Sequence, residues 1–112
     1  METLDVLITA KAKIDSPEKW THEVGARDDE GFPINPTSPR ARRFCAYGAV
    51  AAATEISDSR SAANEALRDS AVVLFGTSAV SIVNDNPTIT HPDIMRLFDG
   101  AIDLVRKRET PV

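Results

Sequence analysis

The run from Phe44 to Ala53, Phe-Cys-Ala-Tyr-Gly-Ala-Val-Ala-Ala-Ala, contains no charge and no proline, and it restricts the possible folds more than any other stretch. Alanine is the strongest helix former. Ser38-Pro39 just upstream has the form of a helix start, a serine to cap free amides and a proline suited to the first turn. The pattern therefore predicts one helix from Pro39 to about Ile56. On it Ala41, Phe44, Cys45, Gly48 and Ala52 form a stripe, while Val50 and Ala53 fall on nearly the opposite side. The second half is thus apolar all round and requires burial on every side or at an interface. Arg43 and Glu55 bound the run well short of the roughly 20 apolar residues that a membrane span takes. Gly48 and the alanines allow close approach of neighbouring backbones, so the bulk must come from other helices.

The flanking segments supply it. Leu4, Leu7, Ile8 and Ile14 fall near one face of a helix over Thr3–Ile14, with Glu2 and Asp5 at its start and Lys11 and Lys13 at its end, each sign suiting the helix dipole. Ser16-Pro17-Glu18 then reads as a short turn that delivers Trp20 as a core plug. A third helix is expected over Ser61–Phe75, with Ala63, Ala66, Leu67 and Leu74 inward and Gly76 placed to end it. A short fourth follows from Ala79 to about Val83. The last is the most regular: Thr90 and Asp93 form a capping-box pattern, and Ile94, Leu97, Phe98, Ala101, Ile102 and Val105 keep helical spacing without a miss. Gly100 within it implies close packing on another helix, the alanine-rich one being the natural candidate. Residues 108–112 are expected to fray.

Between the first and central helices, 21–36 is the least helical stretch. Asp28 and Gly31 fit the first and fourth positions of a type I turn, so a hairpin-like loop is expected there, with Pro33 confining its second arm to an edge.

At 112 residues the chain suits one domain able to fold without staples. A net charge of −4 opposes generic attraction to nucleic acid or anionic membrane. The single Cys45 has no partner for an intramolecular disulfide, and Met1-Glu-Thr-Leu-Asp is no signal peptide, so a reducing cytoplasm is the expected location.

Taken in order, Pro17-Glu-Lys-Trp20, Ala26-Arg-Asp28 with Gly31, Pro36-Thr-Ser-Pro39, Phe44-Cys-Ala-Tyr-Gly48-Ala, Asn84-Asp85 with Pro87, and Thr90-His91 running into Leu97-Phe-Asp99 and Ala101-Ile102 form a recognisable series. In these motifs the chain resembles a family of short, uncharacterised proteins of bacteria and their phages, known only as a domain of unknown function. The resemblance covers most of 20–102 and implies no activity. That family has a bulky residue before Asn84-Asp85 and a non-glycine before Ala101; Val83 and Gly100 depart from this, which implies different packing near that turn.

Candidate chemistry begins with Arg40, Arg42 and Arg43, which the predicted helix places in its first turn, where cations are disfavoured. Either Asp28, Asp29 and Glu30 neutralise them, or an anionic ligand does, held by Arg40 and Arg43 with Tyr47 on the same face. A nucleotide or another phosphorylated small molecule would suit, although there is no glycine-rich phosphate loop. Cys45, His91 and the polar Asn84-Asp85 are the residue types of cysteine-based catalysis. Against this, the helix buries Cys45 two turns from its free amides, where a thiol pKa rises. His91 and Asn84-Asp85 more simply close helix ends and turn the backbone. Two histidines and one cysteine without paired spacing make no zinc signature, and no helix-turn-helix spacing marks a DNA reader.

The sequence thus predicts a mainly α domain over 1–112, four to five helices around a central alanine-rich helix. Its expected function is non-enzymatic, a small cytoplasmic binding or interaction protein of the accessory or phage-regulator kind. Its partner would be another protein or a second copy, without cofactor, metal, nucleic acid or membrane. Arg40, Arg43, Tyr47, Asn84, Asp85 and His91 are the candidate ligand-binding residues. The alternatives are sequestration of a phosphorylated small molecule, and a hydrolase or transferase using Cys45 and His91.

Overall fold

Amphipathic spacing sets the two ends of the chain. In the computed structural model, which describes residues 2–109, α1 spans Thr3–Lys13 and α5 spans His91–Glu109. All six apolar positions expected to face inward from α5 are buried. The predicted fraying of 108–112 is not seen through Glu109, and 110–112 lie outside the described residues. In α1 the inward face is turned from the expected one: Val6, Leu7, Ala10 and the following Ile14 are buried, while Ile8 is 43% exposed. A salt bridge from Lys11 to Asp99 at 2.6 Å ties α1 to α5.

The start of α5 is capped from within. The Asp93 carboxylate accepts from the Thr90 amide at 3.0 Å and the Thr90 hydroxyl at 3.1 Å. These bonds hold the Asp93 pKa below the ordinary carboxylate range, chiefly through the Thr90 amide. A lowered folded-state pKa means that this contribution is complete above the ordinary range and is lost as pH falls through the lowered value. Asp93→Ala should cost about 1 kcal/mol, the usual worth of a helix cap. Urea titrations should show the difference between wild type and variant at neutral pH and its disappearance in acid.

The largest departure from the sequence reading lies in the central segment. The predicted helix from Pro39 does not form; α2 begins at Ala46 and ends at Ala53. Ser38-Pro39 makes only an isolated turn, in which the Ala41 amide donates to Ser38 O and the Arg40 amide to Ser38 Oγ. Beyond it, Arg43–Phe44 forms β2, antiparallel to β1 at Ala26–Arg27, with Ala26 opposite Phe44 and Arg27 opposite Arg43. The Arg42 amide donates to Arg27 O at 2.8 Å and the Cys45 amide to Gly25 O at 3.1 Å. Strand pairing therefore satisfies the backbone that the helix would have used. It also relieves the charge conflict, since none of the three arginines lies at the positive end of a helix.

The loop 21–36 turns as expected: the Gly31 amide donates to Asp28 O, the Asp28 amide to Phe32 O, and Arg27 bridges to Pro33. Its first arm nevertheless makes its ladder with the distant β2 rather than with its own second arm. Arg27 staples the loop, donating to Thr21 Oγ1, Gly31 O and His22 O.

The remaining helices are α3, Ser57–Phe75, ended by Gly76 at φ 71°, and α4, Val80–Asp85. Both start or end away from the expected limits: α3 begins four residues earlier than predicted, and α4 runs on to include Asn84 and Asp85. Short α2 is held at its far end by Arg60 of α3, which donates to Thr54 O and Ala51 O. A guanidinium there both fills free carbonyls and suits the dipole.

The core joins all five helices. Ala46, Gly48, Ala49 and Val50 of α2 are buried, under α1 with α3 and α4 alongside, while Tyr47 and Ala51 to Ala53 are partly covered. The principal neighbours of α5 are α3 and α1, so Gly100 packs on α3 instead of the alanine-rich helix. A β-carbon there would collide with Ser70 Oγ and meet Leu74.

Candidate functional site

Asparagine usually favours turns and surfaces, yet Asn84, in the last turn of α4, is 1% exposed. Its carboxamide oxygen accepts from the Trp20 indole N–H at 2.8 Å and from the Ala46 amide, at the start of α2, at 3.1 Å. Its amide nitrogen donates to Thr21 O at 3.1 Å and Asp85 Oδ1 at 3.0 Å. Two partners are pure donors and two are pure acceptors, so only this orientation satisfies all four. Asp85 extends the network, since its Oδ1 also accepts from the Glu23 amide at 2.8 Å. That bond holds Glu23 at φ 71°, a left-handed conformation that costs a non-glycine residue of order 1–3 kcal/mol.

This network frames a cleft of about 370 Å3 between the 23–25 loop, α2 and α4. Val24, Pro36, Ala51 and Val80 give it apolar walls, and Tyr47 and Ser81 add hydroxyls. Glu23 and Asp85 both line it, and no lysine or arginine does. Its floor depends on Gly48: a β-carbon there would sit 2.7 Å from the Gly25 carbonyl carbon and closer still to its oxygen.

Cys45 also lines the cleft. It is the N-cap of α2, with Sγ accepting from the Gly48 amide at 3.2 Å, and so is not two turns inside a helix as the sequence reading had it. Burial nevertheless pushes its pKa up, and the Asp85 charge adds to this against the opposing pull of the Gly48 and Tyr47 amides. The thiol therefore stays protonated at neutral pH. Alkylation of native Cys45 at pH 7 should run at least about tenfold slower than that of the unfolded chain; equal rates would contradict the assignment.

Of the candidate ligand-binding residues, Tyr47, Asn84 and Asp85 line the cleft, and the hydrogen bonds of Asn84 organise it. Arg40 lies elsewhere, in a hollow with Asp28, Asp29, Glu30 and Arg42. There Arg42 pairs with Asp29 at 3.6 Å, an exposed contact worth about 0–1 kcal/mol. Arg43 sits in β2, so the common helical face expected for Arg40, Arg43 and Tyr47 does not exist. His91 donates from Nε2 to Ile14 O at 2.7 Å, and its ring lies 6.1 Å from that of Trp20; it does not line the cleft with Cys45. Trp20 itself is half-buried, tilted against His22 and bonded to Asn84, rather than a core plug. Asn84 and Asp85 do not turn the backbone, because both are helical.

Sequence reasoning did not single out Glu23, Val80 or Ser81. No periodicity or motif pairs a loop near residue 23 with a helix near residue 80. Yet three motifs noted separately, Trp20, Cys45-Ala-Tyr-Gly48 and Asn84-Asp85, converge on this one place. Among the described residues, no group of three or more His, Cys, Asp or Glu is arranged to hold a metal ion, and no helix is long and apolar enough to cross a membrane.

Fold and site together define a mainly α domain with a lateral, acid-lined cleft. The chain belongs to a family of unknown function (DUF6197), whose model matches residues 1–104. No curated protein and no solved structure matches it.

Proposed function

We propose that the protein is a non-enzymatic binding module whose cleft receives a lysine or arginine side chain from a partner protein. The observation that carries this reading is the lining: apolar walls that suit an aliphatic stem, and two carboxylates, Glu23 and Asp85, without a cation of their own among the cleft residues. A long basic side chain has this division, an apolar stem and a charged head. The charge of the cleft disfavours the phosphorylated ligand considered from sequence, and a protonated Cys45 apart from His91 favours binding over catalysis. An accessory or regulatory role in the cytoplasm fits a module of this kind.

Titration of 15N-labelled protein with a blocked lysine amide tests it. The Tyr47, Gly48 and Ser81 amides should shift, with millimolar affinity for so small a probe. The isosteric norleucine amide should leave them unmoved, and Glu23→Gln should weaken the response severalfold. Glu23→Gly should abolish it while raising stability by about 1 kcal/mol through relief of the positive φ. Equal shifts with norleucine, or none with lysine, would contradict the reading.

A further inference from the structure

Away from the cleft, the C-terminal half of α3 exposes apolar side chains in succession: Val72 is 52% exposed, Val73 75% and Leu74 39%. Val73 and Leu74 border a groove of about 170 Å3 between α3 and α5, closed on the other side by Asp103, Leu104 and Lys107. Gly100 and Ser70 line its base, where the missing side chain lets Ser70, bonded to Leu97 O at 2.8 Å, pack directly on α5. An apolar cavity of about 150 Å3 takes a molecule the size of benzene, so one aliphatic side chain fits.

From this groove we infer that the α3/α5 face is an interface between two copies of the chain. Its charges select that occupant. Asp103 and Lys107 stand one turn apart on α5, and neither has an ion pair among the described residues. One acid and one base give the groove no bias toward an acidic or a basic stranger. Across a twofold axis, however, residue i meets j while j meets i, so Asp103 of each copy faces Lys107 of the other, twice. The protruding Val73 of each copy, 75% exposed, then supplies an aliphatic group to the groove of the other. This interface is independent of the cleft and of what binds there.

Sedimentation equilibrium with charge-exchanged variants tests it. Wild type should dimerise with concentration, and Val73→Glu, a change at an exposed position, should be monomeric with an unaltered circular dichroism spectrum. Asp103→Lys alone places two bases in the groove, and Lys107→Asp alone two acids. Each should weaken self-association at least about tenfold, a difference of about 1.4 kcal/mol. An equimolar mixture of those two variants should associate again, because both contacts across the axis are then opposite in sign. A monomeric wild type at millimolar concentration, a Val73→Glu variant that dimerises like wild type, or a mixture no more associated than its components would overturn the inference.

Discussion

Asn84→Ala should lower the unfolding free energy by about 4 kcal/mol, the largest effect expected of any single truncation around the cleft. The substitution removes a side chain that is 1% exposed and strands two donors at once, the Trp20 indole N–H and the Ala46 amide. Each buried donor left without an acceptor costs about 1–3 kcal/mol, and the vacated space adds to that. Against a total stability of about 5–15 kcal/mol for a domain of this kind, the variant should be marginal. Urea denaturation followed by fluorescence reports it directly, because Trp20 is the single tryptophan and its indole is part of the network. Asn84→Asp makes the same point with shape preserved. It would turn a donor into an acceptor facing Thr21 O and Asp85 Oδ1. Burial beside another carboxylate raises the folded-state pKa of the introduced group. Its stability should therefore be best in acid and fall as pH rises through that raised value, opposite in sign to the Asp93 contribution.

Gly48→Ala should destabilise by about 3 kcal/mol, at the upper end of what overpacking usually costs. Helix propensity alone predicts the reverse, a gain of about 1 kcal/mol for alanine over glycine inside a helix. The contact decides the sign, because the obstacle is the Gly25 carbonyl, a backbone group that has no rotamer to change. To admit a methyl group, α2 must move off the 23–25 loop, stretching the Cys45 amide bond to Gly25 O and opening the buried face of Ala46, Ala49 and Val50. Chemical denaturation separates the outcomes without ambiguity of sign. A stabilised variant would show that α2 and the loop are not in contact.

How much of this was legible depends on the distance over which each feature is determined. The last helix was readable because Ile94 to Val105 repeat at helical spacing and Thr90–Asp93 cap locally. Gly76 ends α3 for an equally local reason. The start of α2 was not readable: Ser38-Pro39 carries a true turn signal, but a two-residue pairing with Ala26–Arg27 outcompetes the helix, and so short a strand leaves no alternation in the sequence. The same loss of local information hides the site. Asn84 draws its partners from Trp20, Thr21 and Ala46, and nothing in the residues around Asn84 announces that a donor-rich pocket awaits it. Its usual preference for turns pointed the other way. Gly48 was legible in kind, as a residue permitting close approach, but the backbone approaching it belongs to a loop and not to a helix. The arginines misled because their significance rested on the helix start, and it moved from Pro39 to Ala46.

The claim on which the site depends is that one buried carboxamide joins the 20–23 segment, the start of α2 and the end of α4 into a single unit. Hydrogen exchange of the Trp20 indole N–H and the Ala46 amide, read residue by residue in the native protein, measures that union directly. Both should exchange slowly, with opening free energies close to that of global unfolding, and both should lose protection together in Asn84→Ala. Fast exchange of either group in the wild-type protein, or protection that survives the substitution, would contradict it.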